Sequence, residues 1–285
     1  MNVTLPKKEK ISKRRLAIYI IIIAICVIAI IVAVCIQILG NDFTNKIFGV
    51  NKLKAKTEEE EQLLRNNFDN IFSNGLQIQD ELTTDITKID NNSDYVITNY
   101  SNNEKVIGSY ELNVNIPYIN IDNDIIKQYN EEIKSIFTEK AQSILETKNQ
   151  NYIYSVEYQA YIENNILSLI IRSNLKQGAN AQQLVIQTYN FDLINKKEIT
   201  LNDEIETLGL DKEEVQKQIR NEVKKEQEKA EDLSELGYDI YRRDSESDYY
   251  LIDNSNIFFL HEQNLYIIYP YGNNALTTEM DIVII

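Results

Sequence analysis

The 285-residue chain has no tryptophan, one histidine, two cysteines, three prolines and eight glycines. Both cysteines, Cys26 and Cys35, fall inside one uncharged run. Everything after that run therefore lacks a disulfide and a thiol ligand, and an apolar core must hold it together. A cysteine nucleophile is excluded there. A Ser-His-Asp arrangement would have to use His261, and no Gly-x-Ser-x-Gly elbow accompanies it. Zinc chemistry draws on several His or Cys ligands, so one histidine among carboxylates is a poor set. Eight glycines leave little room for a phosphate-cradling loop. The stretches DNNSD and IDNDI are rich in oxygen, yet neither follows the spacing of a calcium loop. No cofactor or metal is expected, and the residue inventory favours binding over catalysis.

What is present begins with a greasy segment. Residues 16–39, from Leu16 to Leu39, read LAIYIIIIAICVIAIIVAVCIQIL without a charge. About 20 apolar residues cross a bilayer core as a helix, so this run predicts one transmembrane helix, with the lipid bilayer as partner. It is longer than the apolar core of a signal peptide and ends without a small-x-small site, so it reads as an uncleaved anchor. Residues 1–15 carry six basic side chains against Glu9 alone. The basic residues after the run are more widely spread. The tail is therefore expected in the cytoplasm and the remainder outside the cell. Taking that tail from the net charge of −15 leaves −20 for the outer part. Such a charge disfavours nucleic acid, favours cationic partners at low salt and keeps a domain soluble.

Residues 40–93 read as a juxtamembrane link. Within it, 57–73 is a short amphipathic helix with acids in its first turn and Leu64, Phe68, Ile71 and Phe72 at helical spacing. Docking on the domain, pairing with a second copy and lying on the membrane are all open to it, the last opposed by its acidic head. Residues 77–94 are polar and read as a loop or stalk. Residues 94–285 carry the globular pattern. YELNVNIPYI alternates, with Tyr110, Leu112, Val114, Ile116 and Tyr118 on one face, and Pro117 places it at an end or edge. A strong helix follows, capped by Asp122 or Asn123, with Ile126, Tyr129, Ile133, Ile136, Phe137 and Ile144 in one stripe. YSVEYQAYI alternates again, Asn164-Asn165 turns the chain, and ILSLIIRSNL is apolar on both faces, as a central strand would be.

The stretch QTYNFDLINKKEITLNDEI predicts a strand, a corner at Asn195-Lys196, a second short strand through Ile199 and Leu201, and a helix start. Its carboxylates Asp192 and Asp203 suit turn and cap roles. Asp211 opens a second helix with Glu214 as capping-box partner and Val215, Ile219 and Val223 as its stripe. YYLID, IFFLHE, NLYIIYPY and MDIVII read as three or four closing strands. The whole predicts an α+β domain, a mainly antiparallel sheet with two amphipathic helices on one face.

Taken in order, YELNVNIPYI, NNILSLII, TYNFDLINKKEITLND and YYLIDNSNIFFLHEQNLYIIYPYG resemble the extracytoplasmic domain shared by two groups of proteins. These are lysozyme-sensing anti-sigma factors of Gram-positive bacteria, of the anti-sigma-V type, and the non-catalytic N-terminal region of a membrane-anchored peptidoglycan deacetylase. The resemblance spans roughly residues 94–285. It implies a domain of unknown function in the cell envelope that binds lysozyme-like proteins. There are departures. Where the family often carries a Gly-Gly-Ala-His-like loop, this chain has KQGANA, and Asn195 takes the place of a usual turn glycine. The fifteen-residue tail is too short for a sigma-binding domain, and no deacetylase domain is attached, so neither activity is implied.

The cluster YIIYPYGNN, with Tyr266, Tyr269, Tyr271, Asn273 and Asn274, is the best candidate patch for a partner, because Tyr and Asn suit protein or glycan contact. Strand packing would place the same tyrosines in the core. Three roles remain open: a binding or sensing domain for a cationic protein or cell-wall glycan, a wall-modifying enzyme using two carboxylates, and a passive structural or assembly protein.

Overall fold

The computed structural model describes residues 56–80, 82, 85–147, 151–273 and 276–285. They belong to one compact unit, Leu53–Ile285. The expected membrane span at 16–39 lies outside the described residues. Among the described residues, no helix is long and apolar enough to cross a membrane.

The fold is mixed α+β with mostly antiparallel sheets. Helix α1 (Glu58–Asn67) leads to β1 (Gly75–Ile78), β2 (Val96–Val106) and β3 (Tyr110–Ile119). Helices α2 (Asp124–Ile133) and α3 (Glu139–Glu146) follow, joined without a break by a π turn at Lys134–Thr138. Then come β4 (Tyr152–Glu163), β5 (Ile166–Gln177), β6 (Gln183–Asp192) and the two-residue β7 (Lys197–Glu198). Helices α4 (Leu201–Thr207) and α5 (Lys212–Glu235) precede β8 (Phe258–His261), β9 (Asn264–Asn273) and β10 (Leu276–Ile284).

The strands form two sheets rather than the single sheet the sequence suggests. The larger runs β2-β3-β4-β5-β6-β7, and the smaller runs β10-β9-β8. Two pairs are parallel. The α2–α3 crossover returns β4 parallel to β3, since a hairpin cannot make a parallel pair. Strand β1 pairs with β4 along Gln159–Ile162, beyond the half of that edge taken by β3. Residues 77 and 78, expected at the start of a polar loop, are therefore part of the sheet.

Three apolar clusters account for this layering. Ile126, Ile133, Phe137 and Ile144 of α2 and α3 pack on one face of the large sheet, against Val114, Val156, Tyr158 and Leu169. Ile170, Ile186 and Tyr161, on its opposite face, meet Phe259, Tyr266, Ile268 and Ile284 of the small sheet. The outer face of the small sheet, with Phe258, Leu265, Ile267 and Val283, is covered by Ile205, Val215, Ile219 and Val223 of α4 and α5. Helices thus cover two outer faces instead of one. The doubly apolar pattern of ILSLIIRSNL has this cause: β5 carries a helix layer on one side and a second sheet on the other.

Local signals explain most boundaries. Thr57 caps α1 in a reciprocal capping box with Glu60. The helix ends at Asn67, short of the expected Ser73, and continues as a 3-10 turn, Phe68–Asn70. It docks on the domain, with Phe68 buried between the sheets and Arg65 bonded to Glu222 of α5 at 2.6 Å. Asn123, not Asp122, caps α2. Asn164 and Asn165 both take positive φ, as a two-residue hairpin requires. At the next corner the positive φ falls on Lys196 rather than Asn195. Leu201 starts α4 instead of prolonging a strand, because Thr200 and Asp203 form a capping box ahead of it. Asp211 caps α5 through the Glu214 N–H. YYLID forms two 3-10 turns and no strand.

One side chain replaces a missing strand partner. Strand β3 leaves β4 after Val114, and there Asn130 of α2 accepts the Ile119 N–H at 2.8 Å and donates to the Ile119 C=O at 2.9 Å. Alternation lapses over the same stretch, with Pro117 and Ile119 buried and Tyr118 half-buried. Asn130→Ala orphans both groups of a fully buried residue. It is expected to cost about 2–4 kcal/mol, read from urea denaturation.

Candidate binding surface

The five residues singled out by composition separate in space. Along β9 the side chains alternate. Tyr266 points between the sheets and stacks on Phe259, with ring centroids 4.6 Å apart. Tyr269 points to the other side, where its hydroxyl meets Ser255 Oγ at 2.7 Å in a buried contact. Both are core residues, 2% exposed, so strand packing claims them and neither can touch a partner. Asn273 ends β9, and Asn274 lies outside the described residues. Tyr271 alone of the three tyrosines is partly open to solvent. It shares the helix-side face with Tyr269.

Around Tyr271 the chain after α5 builds a surface that the sequence did not single out. Arg243 forks onto Asp281 of β10, with Nε to Oδ2 at 2.6 Å and Nη2 to Oδ1 at 3.0 Å. This pair is almost wholly buried. Its guanidinium lies 4.1 Å from the centre of the Tyr271 ring, a cation–π contact. Tyr241 stacks on Tyr271 at 5.4 Å and 24°. The Tyr271 hydroxyl donates to Glu279 Oε2 at 3.0 Å. Beside it Tyr249 donates to the Pro270 carbonyl at 2.6 Å and meets Tyr250 and Tyr269 edge-on. Gln227 of α5 accepts the Arg243 N–H, tying the segment back to the helix.

The result is an ordered aromatic platform. Tyr241 and Tyr249 remain exposed, as do Leu233, Leu236 and Tyr238 at and just after the end of α5. Glu279, bonded to Tyr271, is exposed beside it, and Arg242 and Asp244 are exposed on either side of Arg243 in the chain. Burial pushes the Asp281 carboxyl above its usual range even though Arg243 opposes it, and burial raises the Tyr249 hydroxyl as well.

Comparison with known proteins adds little to this geometry. No family model matches the chain, and no curated protein matches it. Its structural neighbours are DUF3298 family proteins, described only as a domain of unknown function. One, from Pseudomonas aeruginosa PAO1, is 8% identical with a TM-score of 0.35, covering 63% of this chain and 83% of its own. Another, from Bacteroides fragilis NCTC 9343, is 15% identical with a TM-score of 0.33, covering 59% of this chain and 79% of its own. Neither likeness gives a residue of this chain a role.

The remaining sequence candidates have structural duties. Asp192 accepts the N–H groups of Ile194 and Asn195 and holds the Asn195 amide, closing the turn. Asp203 accepts from Thr200 and pairs with Lys197 at 3.2 Å, and those hydrogen bonds hold its carboxyl below the usual range. Asp90 of DNNSD accepts from Asn92 and Ser93 within its own turn. His261 ends β8, directly before the Glu262-Gln263 turn. Its ring stacks on Tyr161 at 3.9 Å, Nδ1 lies 3.0 Å from Gln79 Nε2, and burial lowers its pKa.

Proposed function

We propose that this chain is a membrane-anchored, extracytoplasmic binding module that receives a cationic protein on the Tyr241–Tyr271 platform. The observation that carries the reading is the platform itself: exposed Tyr241 and Tyr249 ordered around Tyr271 and a buried Arg243–Asp281 fork, with the exposed carboxylate of Glu279 bonded to Tyr271. Aromatic residues on a rigid support are the usual anchors of a protein contact, because little side-chain freedom is lost on binding. A negatively charged domain steers a positively charged partner and repels an anionic one. The uncharged run at 16–39, the basic tail before it and the −20 charge beyond it support the anchored, outward-facing placement. The resemblance to lysozyme-sensing domains makes a lysozyme-type muramidase the first partner to try.

The test is calorimetry of the full-length chain in detergent micelles with lysozyme across a salt series. Binding is expected at low salt, with the dissociation constant rising as salt increases. Tyr241→Ala is expected to weaken it at least tenfold, since an anchor residue is worth about 2 kcal/mol or more. Absence of heat at low salt removes the muramidase partner. A cell-wall glycan is the second reading, favoured by the exposed, pre-stacked Tyr241 ring. Heat with peptidoglycan fragments and none with lysozyme would select it. New reducing ends in that mixture would instead point to a wall-modifying enzyme.

A further inference from the structure

Strand β2 forms an edge of the large sheet, paired with β3 on one side and, among the described residues, with no strand on the other. The opposite edge, β7, is two residues long. In an antiparallel ladder every second residue of an edge strand turns its N–H and C=O outwards, and those groups are a template for a further strand. A bulge, a proline or a short length commonly blunts such an edge. Here the irregularity lies near the start, where the pairing with β3 slips between Thr98 and Tyr100. From Tyr100 to Val106 the ladder is regular for seven residues, without proline or glycine, and the turn at Ile107–Gly108 ends it. Side chains alternate along this stretch. Tyr100, Asn102, Glu104 and Val106 share the face of Leu112, Val114 and Ile116, the face that α2 and α3 cover. Ser101, Asn103 and Lys105 lie on the other face, where Ser101 donates to Asn115 at 3.0 Å and Lys105 pairs with Glu111. Ser101 and Asn103 to Val106 are all exposed.

We propose that a second copy of this chain adds to the large sheet at this edge, β2 pairing antiparallel with β2 of its partner about Asn103. Symmetry and charge together select that register. A two-fold axis normal to the sheet keeps each face continuous and sets one residue of β2 opposite its own copy. The regular stretch runs from the slip at Thr98–Tyr100 to the turn at Ile107, and Asn103 is its middle residue. Centred there, the whole stretch pairs. Asn103 meets the partner's Asn103, and each amide can both donate and accept. Ser101 lies opposite the partner's Lys105, and Asn102 opposite the partner's Glu104. Tyr100 covers the partner's Val106 on the helix-side face, an aromatic on a β-branched residue. No like charges face each other. Moving the centre one residue towards the turn sets Glu104 against Glu104, and moving it two sets Lys105 against Lys105, both destabilising. Moving it the other way runs Lys105 and Val106 into the irregular start of the partner strand. A contact of this length is smaller than that of a permanent dimer, so the pairing is transient in dilute solution. None of these residues belongs to the Tyr241–Tyr271 platform, so a pair presents two platforms.

The experiment is oxidative cross-linking of the full-length chain in detergent micelles, with Cys26 and Cys35 replaced by alanine and single cysteines placed on β2. Directly opposed residues of an antiparallel pair hold their Cα atoms about 4.5–5.5 Å apart, within the span of a disulfide. Asn103→Cys is therefore expected to cross-link to its own copy. Its rate should exceed that of Glu213→Cys, an exposed site on α5, by roughly tenfold or more, because pairing raises the effective concentration of the two thiols. Ser101→Cys and Lys105→Cys should each stay at the Glu213→Cys rate alone and cross-link when mixed. Adding Asn103→Lys to both chains of that mixture should abolish the bond. Asn103→Lys in one chain with Asn103→Asp in the other should restore it. The substituted side chains on β2 and α5 are exposed, so the fold does not depend on them. The proposal is overturned if Asn103→Cys cross-links no faster than Glu213→Cys. It is overturned equally if Ser101→Cys alone matches Asn103→Cys, since the chains would then meet without this register.

Discussion

Arg243→Ala is expected to lower folding stability by about 3–5 kcal/mol, because it strips the partner from a buried carboxylate. Asp281 is 5% exposed, and the two hydrogen bonds from Arg243 are what make its charge tolerable there. A domain of this size has only about 5–15 kcal/mol in hand, so a loss of that order is a large share of the total. The penalty should depend on pH. Without the guanidinium the Asp281 pKa rises further above its unfolded value. The variant then gains relative stability in acid and loses it as pH rises through the folded pKa. Replacing both partners with apolar residues, Arg243→Met with Asp281→Leu, is expected to recover most of the loss, since the charge is removed along with its counter-charge. Urea denaturation of the three variants at pH 5 and pH 8 checks this. A cost below about 1 kcal/mol for Arg243→Ala at pH 8 would mean that Asp281 is not dependent on the pair. The same substitution removes the cation from beneath Tyr271, so any affinity carried by the tyrosine platform should fall with it.

The difference between what could and could not be read from the chain lies in the range of the interactions. Period-two and helical patterns located β3 to β6, β8 to β10 and the long helices, because each is written in residues a few positions apart. The cap at Asp211 was legible for the same reason: it acts on the Glu214 N–H three residues away. The split into two sheets was not, since it depends on β8 crossing under β4, β5 and β6 from distant parts of the sequence. Nor was the place of β1. Its four residues carry too little pattern to reveal a partner more than eighty positions on. The platform was half legible. YIIYPYGNN pointed to the right strand, but alternation assigned Tyr266 and Tyr269 to opposite cores and left Tyr271. Arg243 and Asp281 stand 38 positions apart in unremarkable surroundings, and only the fold brings them together. Glu204 was hidden in the same way. Its neighbours Asp203 and Glu206 are ordinary helix-terminus acids, and nothing in NDEIE marks the middle one as buried.

The layer between the sheets leads to the second large effect. Phe259 is fully buried, stacked on Tyr266 at 4.6 Å and on Tyr161 at 6.1 Å, with Phe68 at 6.3 Å. These four rings come from β8, β9, β4 and the turn after α1, so they join both sheets to the N-terminal helix. Phe259→Ala is expected to cost about 3–5 kcal/mol, the sum of lost burial and an unfilled cavity. Phe259→Leu should cost less, because most of the volume stays. The loss should also be uneven. With its apolar seat loosened, α1 relies more on its ion pairs to α5, Arg65–Glu222, Arg65–Glu226 and Glu58–Lys225, and its amides should exchange faster than those of β5. Arg243→Ala, which acts at the opposite face of the small sheet, should leave α1 protected relative to the rest of the domain. A double-mutant cycle of Phe259→Ala with Phe68→Ala should give a combined cost well short of the sum, since each substitution empties the same space. Additive costs and unchanged exchange in α1 would show that the helix is held by its ion pairs instead, with the aromatic layer joining only the two sheets.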